Sequence, residues 1–197
     1  MSRILIVHAS SHGQTRRIAE VIAERLRARG IEVELGDAFA ARRGLPPPED
    51  YDGVVLGSRI HMGRHASELI EYMVAHRFEL SSMPTAFFSV SMAASTPQAG
   101  PDPQGYNASL FKLASWQPGR AVAFAGGLPY REYGRILRFV MKMLSARAGH
   151  PTDTSRNHDL TDWTAVRRFA DAIADDVLAA SMPDDAPLTV PLPSTMS

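Results

Sequence analysis

The sequence predicts a doubly wound α/β domain, with a five-stranded parallel sheet covered by helices on both faces, and three features carry that prediction. From Ile4 to about Ala180, short apolar runs alternate with segments of helical periodicity, the strand–helix order that builds a parallel sheet. The run Ile4–Val7 is continuously apolar, as a strand buried on both faces must be. The chain has 197 residues, enough for one well-buried domain of this kind and too few for two.

In chain order, Ile4–Val7 is the first strand. From Thr15 to Arg29 the residues Ile18, Ala19, Val21, Ile22, Ala23 and Leu26 recur at helical spacing, and Gly30 supplies a stop signal. Ile31–Leu35 alternates apolar residues with glutamates and reads as a half-exposed second strand. Gly44–Pro48 is a Pro-rich loop, after which Tyr51-Asp52 leads into the strand Gly53–Gly57. Ala66–His76 is the second helix, with Leu69, Ile70, Met73 and Val74 facing inward.

Pro84 precedes an apolar and aromatic strand, Thr85–Val90, and Ser91–Gly105 is a loop rich in Pro, Gly and Ser. Tyr106–Trp116 reads as the third helix and Ala121–Gly127 as the fifth strand. Residues 128–160 then form an insert, far longer than the roughly 2–6 residues usual between such elements, and connections of that length are functional or disordered. The last helix opens at Thr161 as N-cap and runs through Val166, Phe169, Ala170, Ile173 and Val177 to about Ala180. Residues 181–197 contain four prolines and little periodicity, so a disordered tail is expected after a single domain spanning 1–180.

Composition narrows the function. Apolar residues make up 45% of the chain and charged residues 21%. Lys+Arg and Asp+Glu number 21 each, a balance that argues against a nucleic-acid binder. There is no cysteine, which excludes disulfides, thiolate metal sites, iron–sulfur clusters and a cysteine nucleophile. Redox chemistry in this chain therefore requires a bound cofactor. Neither the N-terminus nor any later stretch approaches the roughly 20 apolar residues of a membrane span, so a cytoplasmic protein is expected. Peripheral contact with the inner membrane and assembly into a homo-oligomer are left open.

The chemistry concentrates in the loop after the first strand. Ser10, Ser11, His12, Gly13, Gln14 and Thr15 lie between Ile4–Ala9 and a helix N-terminus. Hydroxyl residues around a glycine at that place suit an anion: main-chain N–H groups point into the turn, and the helix dipole favours negative charge. The loop lacks both the GxGxxG of dinucleotide binding and the GxxxxGK[ST] of nucleoside triphosphate binding. A phosphomonoester held without lysine or metal is what FMN presents.

The segment Ser10–Thr15 resembles the flavodoxin phosphate loop, Thr/Ser-x-Thr-Gly-x-Thr, with His12 in place of the middle hydroxyl. A flavodoxin-like domain implies two further cofactor loops at the carboxyl ends of its strands. From Gly57–His65 the candidate flavin contacts are Ser58, Ile60, His61, Met62 and Gly63; from Ser89–Ala94 they are Ser89, Ser91, Met92 and Ala93. Met62 stands where many flavodoxin-like proteins stack an aromatic, and its thioether is suited to covering a ring face. His61 and His65 have i, i+4 spacing, yet no carboxylate or third ligand lies nearby, so no metal site is expected. The same two histidines lie near the expected ring edge as proton-relay candidates, although a surface role is preferred and no catalytic acid or base is named.

Further phrases extend the resemblance. Gly13-Gln14-Thr15-Arg16 with Ile18-Ala19, Tyr51-Asp52-x-Val54-Val55-x-Gly57, Ser82-Met83-Pro84-x-Ala86-Phe87, Ser89-Val90 and Trp116-x-Pro118 come in order. Ala125-Gly126-x-Leu128-x-Tyr130, Met141-Lys142, Thr152-Asp153-Thr154 and Thr161-Asp162-Trp163 follow. Over about residues 3–178 these resemble the flavodoxin-type, quinone-dependent protoporphyrinogen IX dehydrogenases. That resemblance implies FMN as cofactor, protoporphyrinogen IX as substrate and a quinone as acceptor. The chain departs from the family at Met62 and in its Pro-rich tail. Alternatives are an electron-transfer flavodoxin, disfavoured by the neutral charge, an NAD(P)H:quinone reductase, and a cofactor-free interaction module.

The family also carries a segment after the fifth strand. Within 128–150 stand Arg131, Arg135, Arg138, Lys142 and Arg147 against the single acid Glu132, a local charge of +4. A helix would align Arg131, Arg135, Arg138 and Lys142 in one stripe and put Ile136, Phe139, Val140, Met143 and Leu144 on another face. Such a segment suits an anionic membrane surface or a lipophilic substrate bearing carboxylates; the plainer reading is a surface helix with solvated arginines.

Overall fold

The computed structural model describes residues 1–40, 44–95, 102–128 and 158–181. The basic stripe Arg131, Arg135, Arg138 and Lys142 and the expected tail beyond Ser181 lie outside the described residues.

The first half of the chain contributes β1 (Arg3–Ala9), α1 (Gln14–Ala28), β2 (Glu32–Asp37), β3 (Gly53–Arg59), α2 (Ser67–Ala75) and α3 (Arg77–Ser81). The second half adds β4 (Thr85–Ser91), α4 (Tyr106–Ala114), β5 (Arg120–Ala125), β6 (Gly127–Leu128), β7 (His158–Asp159) and α5 (Trp163–Ala180). The five long strands pair in parallel in the order β2-β1-β3-β4-β5. Chain order reverses beside β1, which opens a crevice at the carboxyl ends of β1 and β3, where ligands of such sheets bind.

Strand alternation builds two cores. Ile4, Ile6, Val55, Ala86, Phe88 and Phe124 face α1 and α5, where Ile18, Ile22, Leu26, Val166, Ile173 and Val177 close over them. Leu5, Val7, Val54, Leu56 and Phe87 face α2, α3 and α4 through Leu69, Met73, Leu80, Leu110 and Phe111. Each such side chain, fully buried, contributes about 1.5–3 kcal/mol. Gly57 is part of this packing: a Cβ there would lie 2.2 Å from the Phe88 ring, so only glycine lets that ring lie across β3.

Several boundaries differ from the sequence expectation for local reasons. β2 runs on to Asp37 because it pairs with β1 as far as His8. The fifth strand stops at Ala125, and Gly127 joins a separate antiparallel ribbon in which Leu128 and Gly127 oppose His158 and Asp159. Val74 is 39% exposed rather than inward, because Leu69, Tyr72 and Met73 already fill the buried stripe of α2. The sequence pattern does not predict α3, which is a short turn of helix between α2 and β4. Asp162, not Thr161, caps α5: its Oδ1 accepts from the N–H groups of Thr164 (2.9 Å) and Ala165 (3.0 Å). Thr161 instead donates its hydroxyl to the Ala125 carbonyl at 2.8 Å.

Candidate functional site

α1 begins with main-chain donors that no side chain caps. Its N-cap is Gly13 in the left-handed region (φ 82°), no side chain caps the helix, and no acid stands in its first turn. The N–H groups at the start of the helix are therefore left without intrahelical partners. Glycine is required at the cap because an L side chain at that φ is strained. The Ser10 hydroxyl is buried beside this turn and has no hydrogen-bond partner. Ser11, His12 and Gly13 are exposed at its rim, and Thr15 is buried beneath it. Arg16 and Arg17 follow, cations at the positive end of a helix, an unfavourable arrangement on its own that a bound anion would relieve.

His8, two residues before the loop, is buried, and burial holds its imidazole below the ordinary value while Asp37 pulls the other way. Its Nδ1 has no partner.

The second loop is a tight hairpin. His61 and Arg64 exchange main-chain bonds, His61 N–H to Arg64 O at 2.9 Å and Arg64 N–H to His61 O at 3.0 Å. Met62 (φ 50°) and Gly63 (φ 76°) form its two-residue tip with the positive φ angles that a primed turn demands. Met62 is 89% exposed there. Ile60 donates to the Val90 carbonyl at 2.9 Å, tying this loop to the end of β4. Ser58 is fully buried, and its hydroxyl donates to Arg59 O and accepts from the Ala66 N–H, so it shapes the loop from within.

His65 is half-buried edge-on to Phe87, with ring centroids 5.6 Å apart. Desolvation pushes its imidazole down to about 4, against the weaker opposing pull of the Tyr106 backbone, so it is neutral at physiological pH. His61 is exposed, and the two histidines belong to no three-ligand cluster among the described residues. The one such cluster among the described residues, Glu49, His76 and Glu79, lies at the amino ends of β3 and β4, the opposite pole from the loop Ser10–Thr15.

The third loop starts at the end of β4. Ser89 is buried with a hydroxyl lacking a partner, and Ser91 accepts from the Ala94 N–H at 3.3 Å. Met92 and Ala93 are half-buried at the start of the next turn. Three loops that sequence reasoning assigned separately thus converge at the carboxyl ends of β1, β3 and β4.

Residues that sequence reasoning missed border the same region. The Tyr106 ring stands against Gly63, about 3.4 Å from where a Cβ would sit, and brings an aromatic to the tip of this hairpin. Asp159 accepts four hydrogen bonds. Its Oδ1 takes Gln14 Nε2 (2.9 Å) and Thr161 N–H (3.0 Å), and its Oδ2 takes Arg17 Nη1 (2.8 Å) and Trp163 Nε1 (3.1 Å). Gln14 and Asp159 are 145 positions apart in the chain, beyond any local signal. A separate cavity of about 630 Å³ lies along α4 and the start of β5, lined by Phe111, Lys112, Trp116, Gln117 and Ala121.

Comparison with known proteins gives one family and a consistent fold. A profile described as "Flavodoxin domain" matches residues 5–155. A protein of Escherichia coli (strain K12) named protoporphyrinogen IX dehydrogenase (quinone) is 34% identical over 173 residues, covering 87% of this chain and 94% of its own. A Leishmania major protein of the same name is 30% identical over 179 residues, covering 87% of this chain and 74% of its own. Oxidised Flavodoxin 1 from Bacillus cereus superposes with a TM-score of 0.52 at 15% identity, over 88% of this chain and 98% of that one. Rubredoxin oxygen:oxidoreductase of Desulfovibrio gigas does so at 0.55 and 15% identity, over 91% of this chain and 37% of that one. At that identity, both structural likenesses speak to the fold alone.

Proposed function

This chain belongs to the flavodoxin-domain family, and from that premise we propose that it is an FMN-dependent oxidoreductase. It oxidises protoporphyrinogen IX to protoporphyrin IX, a step of haem synthesis, with a quinone as electron acceptor. The observation that carries the cofactor assignment is the start of α1: main-chain donors with no capping side chain, a buried Ser10 hydroxyl without a partner, and no acid in the first turn, all at the crevice of the sheet. That donor set fits a phosphomonoester. The substrate assignment rests on relatives aligned along nearly the whole chain.

FMN, when bound, supplies the two-electron chemistry. The residues of this chain hold and orient. Ser10 and Ser11 offer hydroxyls, and Gly13, Gln14 and Thr15 offer main-chain N–H groups, to the phosphate; His12 stands at the same rim. Ile60, His61 and Gly63 present main chain to one side of the ring and Met62 its thioether, with Ser58 holding their loop in shape. Ser89, Ser91, Met92 and Ala93 border the other side. Arg131, Arg135, Arg138 and Lys142 are the proposed partners of the substrate carboxylates, or of an anionic inner-membrane surface. No helix among the described residues is long and apolar enough to cross a membrane. The whole unit is proposed as one domain, residues 1–180, carrying an insert at 128–160.

The test is spectroscopic. Purified protein loaded with FMN is mixed anaerobically with protoporphyrinogen IX, and the flavin absorbance is followed. Bleaching that reverses on adding a quinone is the expected result. Flavin that stays oxidised with the porphyrinogen but is reduced by NADPH would replace this reading with a nicotinamide-dependent quinone reductase.

A further inference from the structure

Both amide hydrogens of Gln14 are engaged with the segment that follows the insert. Its Nε2 donates to Asp159 Oδ1 at 2.9 Å and to Thr161 Oγ1 at 2.7 Å, which uses both hydrogens of the amide. Thr161 passes the connection on, donating to the Ala125 carbonyl at the carboxyl end of β5. A strut of hydrogen bonds therefore runs from the first residue of α1 to the end of the fifth strand. Asp159 is its hub, with four donors on two oxygens, the full capacity of a carboxylate.

The placement of this hub is informative. Asp159 lies in β7, the strand by which the chain returns from the insert, and past the end of the matched flavodoxin-domain span at residue 155. Its negative charge beside an anion site is answered by Arg17, which pairs with it at 2.8 Å and stacks on the Trp163 ring at 4.7 Å. Both partners are partly exposed, so repulsion of a phosphate by Asp159 is screened, and what remains is its effect on geometry.

We infer that Asp159 is a positioning residue for the phosphate site, acting through the Gln14 side chain to fix the first turn of α1. It thereby ties the return of the insert to the main-chain donors that grip the cofactor. The inference rests on the reading of Ser10–Thr15 as a phosphate loop.

Binding of FMN and of riboflavin, which lacks the phosphate, to the apoprotein separates the two ideas, with flavin fluorescence quenching as readout. Wild type is expected to bind FMN far more tightly than riboflavin. Asp159→Ala should weaken FMN about tenfold while riboflavin changes by less than about twofold. Gln14→Met should do the same, and the double variant should be no worse than the weaker single, because both remove one strut. Wild type that does not distinguish the two flavins would defeat the phosphate reading itself, and this inference with it. Wild type that discriminates, with Asp159→Ala binding FMN as well as wild type or with effects that multiply in the double variant, would overturn the inference alone. Should Asp159→Ala fail to fold, Gln14→Met alone carries the test, since it keeps the carboxylate and removes the contact through which Asp159 acts; an unchanged FMN-to-riboflavin preference in that variant would overturn the inference equally.

Discussion

Ser10 and His65 are the residues whose surroundings make them testable one at a time. A buried hydroxyl without a partner costs the apoprotein about 1–3 kcal/mol, and a bound phosphate would remove that cost. Ser10→Ala is therefore expected to leave apoprotein stability unchanged or raise it by about 1 kcal/mol, while weakening FMN several-fold. Thermal melts with and without FMN check both halves; a variant that is destabilised when empty and binds normally would contradict the assignment. His65 is a neutral imidazole against Phe87, held down to about 4 from an ordinary 6.5 by desolvation. Its folded value lies below its unfolded one, so on acidification the unfolded chain takes the proton first. The contribution of His65 to stability is complete above pH 6.5 and falls as pH drops from 6.5 to about 4, by about 2–3 kcal/mol at most. His65→Leu should flatten that limb in urea denaturation at pH 7 and pH 4.5, and an unaltered slope would reassign the acid sensitivity to other groups.

At the scale of the element, the turn between β3 and α2 is tuned away from stability. A two-residue hairpin tip with positive φ at both positions favours Asn-Gly, yet this chain places Met62 there, at φ 50° and 89% exposed. A bulky side chain kept at a positive φ costs folding energy, which makes Met62 a candidate for a functional contact. Met62→Asn is accordingly expected to stabilise the apoprotein by about 0.5–1 kcal/mol and to slow reduction of the bound flavin by porphyrinogen. Chemical denaturation and anaerobic reduction kinetics measure the two. Stability gained with no kinetic change would make Met62 a bystander. α1 illustrates the same tension, since a helix with a glycine N-cap and no capping side chain is poorly finished until an anion completes it.

At the scale of the whole molecule, the sheet order brings three loops to one crevice. The ribbon of β6 and β7 brackets the insert, and its second strand is bonded to the start of α1. The two described ends of the insert therefore pair with each other, and Asp159 at the second end bonds to the first residue of α1. Arg135→Glu combined with Arg138→Glu is expected to impair porphyrinogen turnover by at least about tenfold while leaving the visible flavin spectrum intact, since neither residue is assigned to the flavin. Steady-state kinetics and the spectrum of the purified variant decide it. Full turnover would remove the insert from substrate recognition.

Amino-acid pattern alone determined the parallel sheet, its two covered faces and the place of the hydroxyl-glycine turn between β1 and α1. Continuous apolar runs, helical periodicity and a hydroxyl-glycine loop are local signals that survive in one dimension. Local pattern also misplaced what depends on neighbours: Val74 has helical spacing but faces out, and Thr161 is a good cap residue that the fold uses to reach Ala125 instead. The roles of Asp159, Tyr106 and the spent amide of Gln14 belong to tertiary structure, because each depends on a partner brought near only by closing the sheet. A hydrogen bond across 145 positions leaves no periodicity behind it. That is why the hydroxyl-glycine turn before α1 was legible in the sequence, and the hydrogen bonds that tie it to Asp159 were not.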